Sequence, residues 1–399
     1  MFACVISLLF YASVSAIPNG RREVTYPSLE TLRSGIKVVK FRAFGEDIEL
    51  KLEPAGDVIS DNFTMKDNLG RIQTTDAKSL KSRLFKAREK GAALYINEDG
   101  FLKIKGVINS KLSIEPYNSE KMVKHGISAH VITESFAERK HFNDRVMSMN
   151  LKKTFAKDNA RIFNEDQCVS IKYLFLTDTN FRSGFPNPKD METYFATMFI
   201  LVQEDMDTLK LNIKVSLIGI EPVKNETNFV KESLIPGEEV FDFGRVVGNL
   251  NVLNCKYKDN ELYKKADSIM FITKRLLGNR EPDGSVSTNT LGVANLGGAC
   301  NPCLKTGVIK DYGDMTLLAN TVAHETAHQI GSPHDGEGAP DSLPGSPTGE
   351  KCPGSQGYLM GDSKGENKGK FSPCTRENVK FFLNKDEASC VVSACKSTV

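Results

Sequence analysis

Apolar and polar side chains alternate along Gly35-Ile-Lys-Val-Val-Lys-Phe-Arg42 and Asp47-Ile-Glu-Leu-Lys-Leu52, the two-residue period of strands with one buried face. These runs predict a β-rich N-terminal block. A polar, basic stretch over 135–161 reads as helical and leads into a second block with a different rhythm. There Cys168-Val-Ser-Ile-Lys-Tyr-Leu-Phe-Leu-Thr177 predicts a strand, 191–206 an apolar helix after the Phe185-Pro-Asn-Pro188 turn, and 209–220 an alternating strand. Residues 267–273 and 291–296 predict further short strands. The clearest helix spans 314–330, and another covers 375–383, opened by Ser372-Pro373. The Gly/Pro/Ser-rich run 331–357 cannot be helical. Helices alternating with strands make the second block a mixed α and β domain.

Cysteines sharpen this division. Of nine, Cys4 lies in the leader, 17–167 hold none, and the other eight are Cys168, Cys255, Cys300, Cys303, Cys352, Cys374, Cys390 and Cys395. The break places a boundary near residue 160, with domains of 17–160 and 161–399 after a leader of 1–16. That leader, MFACVISLLFYASVSA, is apolar and ends in small residues, as a secretory signal cleaved after Ala16 would. It is short for a membrane span, which needs about 20 apolar residues. An even cysteine set in an exported chain predicts disulfides, with Cys300-Asn-Pro-Cys303 a bridge element rather than a zinc knuckle. Asn62-Phe-Thr and Asn225-Glu-Thr are candidate glycosylation sites. With 52 basic against 50 acidic residues, the chain lacks the electrostatic footprint of a nucleic-acid binder.

Three of the six histidines fall in His324-Glu-Thr-Ala-His328-Gln-Ile-Gly331-Ser-Pro-His334-Asp335. On a helix, positions four apart share a face, so His324 and His328 can hold one zinc ion while Glu325 lies beside the open position as a proton acceptor. Gly331 lets the chain turn out of the helix with positive φ, bringing His334 back as third ligand. Three protein ligands leave a fourth position for water, the arrangement of a catalytic rather than a structural zinc site. His125, His130 and His141, in the N-terminal block, read as surface residues.

This run resembles the metzincin zinc motif HExxHxxGxxH, and Asp335 resembles the reprolysin (adamalysin) branch. Gly357-Tyr-Leu-Met360 resembles the Met-turn beneath the metal, Phe371-Ser-Pro-Cys374 the FSxC segment, and Ala294-Asn-Leu-Gly-Gly-Ala-Cys300 the substrate-binding edge strand. Tyr26-Pro-Ser to Leu52 resembles the start of a reprolysin propeptide. The resemblance implies a twisted, mostly parallel five-stranded sheet with long helices and a zinc cleft, preceded by the β-rich propeptide. It also implies a secreted, monomeric zinc endopeptidase that cleaves extracellular proteins such as matrix or clotting factors, similar to short salivary forms from ticks. Glu325 would be the general base, Asp335 an outer support, and Asn295, Leu296 and Gly297 the backbone edge on which substrate adds antiparallel. Residues 361–370 would wall the neighbouring pocket. Cys352 would pair with Cys374, and Cys300 with Cys390 or Cys395.

Departures from the family pattern carry information. Ala327 replaces a common glycine, the propeptide has no cysteine for a thiolate switch, and only Lys152-Lys153 marks a cleavage site. The family's calcium site has a first-strand Glu where Lys172 stands here, although Asp267 matches another ligand position, leaving calcium open. The alternative class is a binding protein on a protease fold that captures a host factor without cleaving it.

Overall fold

A computed structural model describes residues 20–67, 69–73, 75–117, 122–124, 127–135, 143–147, 163 and 167–394. The leader, the boundary near 160, Lys152-Lys153, His125, His141 and Cys395 lie outside them.

The N-terminal block builds a nine-stranded antiparallel sheet, as its alternation predicts. Val39, Phe41, Leu50, Leu52, Leu94 and Ile104 fill its own core. Strands of this block also enter the sheet of the second block, the short Ile72–Gln73 by pairing with Ile59–Lys66. β1 (Ile59–Lys66) and β2 (Asn143–Met147) join the sheet of the second block. At 143–147, β2 corrects the helix expected over 135–161, of which 136–142 and 148–161 lie outside the described residues. A strand at 143–147 satisfies its backbone on a neighbouring edge.

In the second block the elements that position the site are β3 (Gln167–Thr177), α1 (Pro188–Asp207), β4 (Ile213–Pro222), α2 (Phe243–Tyr257), β5 (Ser268–Thr273), β6 (Val286–Asn295), β7 (Thr306–Lys310), α3 (Met315–Gln329) and α4 (Pro373–Leu383). β6, β7, β5, β3, β4 and β1 lie side by side. Only β6 opposes its neighbour β7 among these; β7, β5, β3, β4 and β1 are mutually parallel. Strand β4 starts four residues later than its hydrophobic pattern suggests. Lys210 and Asn212 adopt left-handed backbone, with φ of 55° and 52°, to turn the chain out of α1.

Side chains of β3 divide by parity. Val169, Ile171, Tyr173 and Phe175 pack against α1 and α3, while Leu174 and Leu176 pack against α2 on the opposite face. Helices therefore cover both faces, as a largely parallel sheet requires. α1 is the hinge of the packing between blocks. Its Phe195, Phe199 and Val202 share one apolar cluster with Ile59, Phe63, Leu84 and Tyr95 of the N-terminal block. Ion pairs Lys105–Asp190 (3.5 Å) and Arg88–Asp207 run along the same seam.

Candidate metal centre

The centre begins with the capping of α3. Asp314 accepts from the Leu317 amide at 3.0 Å and starts the helix, whose second half is fully buried. His324 and His328, one turn apart, bring their Nε2 atoms to 3.1 Å. Their Nδ1 atoms donate to the carbonyls of Leu359 and Ser332, each at 2.7 Å. With the ring protons fixed on Nδ1, two Nε2 lone pairs face each other, which a shared cation turns from repulsion into coordination. Tetrahedral zinc with bonds near 2.0–2.1 Å separates its nitrogens by about 3.3 Å, close to the spacing found.

At the helix end, Gly331 has φ of 95°, and a Cβ there would lie 2.6 Å from Phe382 Cβ, so backbone and space both demand glycine. The chain then turns back to place His334 with its ring centroid 4.7 Å from His328 and 5.4 Å from His324. Ligand atoms of the three histidines lie within 4.8 Å of one another, a group able to hold one metal ion. All-imidazole donors suit zinc.

Glu325 is buried beside them, with its carboxylate laid against β6 at Gly292. A Cβ on Gly292 would come within 2.2 Å of Glu325 Oε1. Asp335 accepts from the hydroxyls of Ser372 (2.5 Å) and Thr375 (3.4 Å) and donates its amide to Met360 O at 2.9 Å, tying the His334 turn to the start of α4. Burial raises its carboxyl and those hydroxyls pull it back. Met360 is fully buried in the core beneath, and the carbonyls of Leu359 and Met360 are what this turn offers the centre. Glu337 faces His334 Nδ1 at 3.0 Å, and that bond holds its carboxyl below the ordinary range.

The expected edge divides into parts. The backbone of β6 from Thr290 to Asn295 is paired with β2 in parallel, Val146 opposite Ala294 and Met147 opposite Asn295. The Asn295 side chain points into the fold instead, donating to Asn251 Oδ1 and Leu304 O, each at 2.8 Å. Leu296 is core, and Gly297 donates its amide to His328 O at 2.9 Å. Residues 361–370 fold back through Leu359 N to Lys370 O (2.7 Å). Sequence reasoning missed Gly292 and Glu337. Glycine inside a strand signals a close approach and could have flagged the first; no pattern marks the second.

Other residues fall as follows. His130 is not at the surface: it is fully buried, its Nε2 accepts from the Ile104 amide at 2.9 Å, and burial lowers its pKa. Its strand lies inside the N-terminal sheet, where the ring meets a backbone donor rather than water. Disulfides join Cys255–Cys303, Cys300–Cys390 and Cys352–Cys374, and Cys168 is bridged as well. Asn62 and Asn225 are exposed. At the calcium position, Asp267 accepts from the Lys172 amide at 2.9 Å and lies 3.5 Å from Lys172 Nζ. Calcium takes six to eight oxygen ligands, so an ammonium here does not fit it.

Residues 249–394 match the model of the reprolysin (M12B) family of zinc metalloproteases. The chain is 41% identical to the venom metalloproteinase antarease of Tityus serrulatus, with 99% of each chain covered. The chain belongs to the reprolysin family. It is 39% identical to venom metalloproteinase BumaMPs1 of Olivierus martensii, over 99% of this chain and 98% of that one. Metalloproteinase-II of Bacteroides fragilis aligns over 86% of the chain with a TM-score of 0.46 and 10% identity. As a reprolysin this protein is a zinc metalloendopeptidase with an α/β metzincin fold, acting on protein substrates. These Tityus and Olivierus relatives are named as venom proteins, which gives the tick comparison no support. Among the described residues no helix is long and apolar enough to cross a membrane.

Proposed function

We propose that the chain is a secreted, monomeric endopeptidase made as a zymogen, with His324, His328 and His334 holding zinc and Glu325 acting as general base on extracellular proteins. The convergence of three imidazoles beside one buried carboxylate carries this reading. Zinc, when bound, supplies Lewis-acid polarisation of the scissile carbonyl and acidifies water. Glu325 takes a proton from the attacking water on its carboxylate and returns it to the leaving amine. Leu359 O, Ser332 O and Asp335 hold the imidazoles and the loop in place, so little reorganisation is needed. Full-length similarity to venom metalloproteinases supports export and a role in venom.

Substrate would add to the Thr290–Asn295 edge, and its reverse direction relative to β6 would set the scissile carbonyl toward the histidines. The N-terminal block lies on that same edge through β2 but runs parallel to β6. This supports a propeptide that covers the cleft with its backbone reversed, a latency that needs no cysteine. The test is cleavage of denatured casein by processed wild type and by Glu325→Ala. Loss of turnover in the variant, by about 10²–10⁴-fold, with zinc retained is expected; undiminished cleavage by the variant would overturn the role of Glu325.

A further inference from the structure

The three imidazoles of the centre differ in what holds their outer nitrogens. His324 and His328 sit on α3, fully buried, and donate Nδ1–H to backbone carbonyls that are themselves fixed. His334 stands on a loop, its side chain 19% exposed, and its Nδ1 faces a carboxylate, Glu337 Oε1, at 3.0 Å. The other carboxylate oxygen, Oε2, accepts from the His334 amide at 3.3 Å.

The backbone delivers Glu337 to that place. A turn from His334 to Glu337 is closed by Glu337 N to His334 O at 3.2 Å, and a second strip of loop clamps it, with Gly349 N donating to Glu337 O (2.7 Å) and Gly336 N to Gly349 O (2.9 Å). A Cβ on Gly349 would meet His334 O at 2.2 Å, so the clamp closes only over glycine. The acid is thus anchored at its own backbone and grips its neighbour's ring and amide together.

We propose that Glu337 is a positioning residue for the third metal ligand, an inference that rests on the zinc reading above. A carboxylate on Nδ1–H fixes the tautomer that presents Nε2 inward, holds the ring of the one ligand no helix orients, and raises the basicity of its donor nitrogen. An amide at position 337 would keep an acceptor oxygen but lose the charge; alanine would lose both.

The test measures zinc affinity and release in the full chain, wild type, E337A, E337Q and the exposed control E232Q, by competition with a chelating dye. E337A is expected to bind zinc about 10–100-fold more weakly and release it faster, E337Q to fall between, and E232Q to match wild type. The visible bands of the cobalt-loaded E337A protein are expected to shift, and metal-free melting temperatures to stay together, separating ligand positioning from loss of the turn. Should E337A not fold, E337Q alone decides. Zinc affinity in E337A, or in E337Q alone, within about twofold of wild type would overturn the proposal while leaving the zinc reading intact. A folded wild type that takes up no zinc would overturn both.

Discussion

The sharpest constraint on the Glu325 carboxylate, the proposed general base, is the absence of a side chain at residue 292. A Cβ at residue 292 would lie 2.2 Å from Glu325 Oε1, so Gly292→Ala forces the carboxylate aside. Misplacing a catalytic group by about 1 Å can cost about a hundredfold in rate. Casein turnover in Gly292→Ala is expected to fall by that order with zinc content unchanged, and wild-type turnover would show that Glu325 works from elsewhere. The spacing of His324, Glu325, His328, Gly331 and His334 was readable because helix period and turn geometry are local. Gly292 meets Glu325 across segments brought together by the fold, and Glu337, although only three residues from His334, belongs to no recurring motif that would mark its contact with that ring. Asn295 shows the converse: its position at the end of β6 was legible, yet its side chain completes a buried amide network with Asn251 and Thr306.

At the level of elements, strongly periodic segments were legible. α3 and α4 begin at Asp314 and Ser372, side-chain caps that the sequence displays directly. α2 was not, since Gly244, Gly248 and three asparagines lower its intrinsic helicity. The Asp242 cap, burial of Val246, Val247 and Leu250, and the Cys255–Cys303 bridge support it instead. The joining of β3 to β5 holds a second lesson. Lys172 at the calcium position donates to Asp267, and Lys305 stands near enough to stabilise the same carboxylate. Adding calcium chloride to the zinc-loaded protein is therefore expected to leave its melting temperature unchanged; a rise of several degrees would place a calcium ion where this account puts an ammonium.

On the scale of the whole molecule, the two blocks read from composition are less separate than the cysteine break suggests. β1 extends the catalytic sheet at one side, β2 lies on the cleft edge at the other, and the apolar seam along α1 is continuous with the main core. Cysteine placement could not reveal this, because strand addition uses backbone groups that every residue possesses. The continuity also frames what the centre requires: a rigid α3 held on one side by the sheet and on the other by the Leu359–Met360 turn. The central claim is that this frame holds one zinc ion on three imidazoles. It is tested most directly by counting zinc in the purified full chain and in a folded His328→Ala variant by elemental mass spectrometry. The account predicts one ion per chain in the wild type and its loss from the variant; a folded wild type without zinc, or a variant that keeps it, would contradict the account.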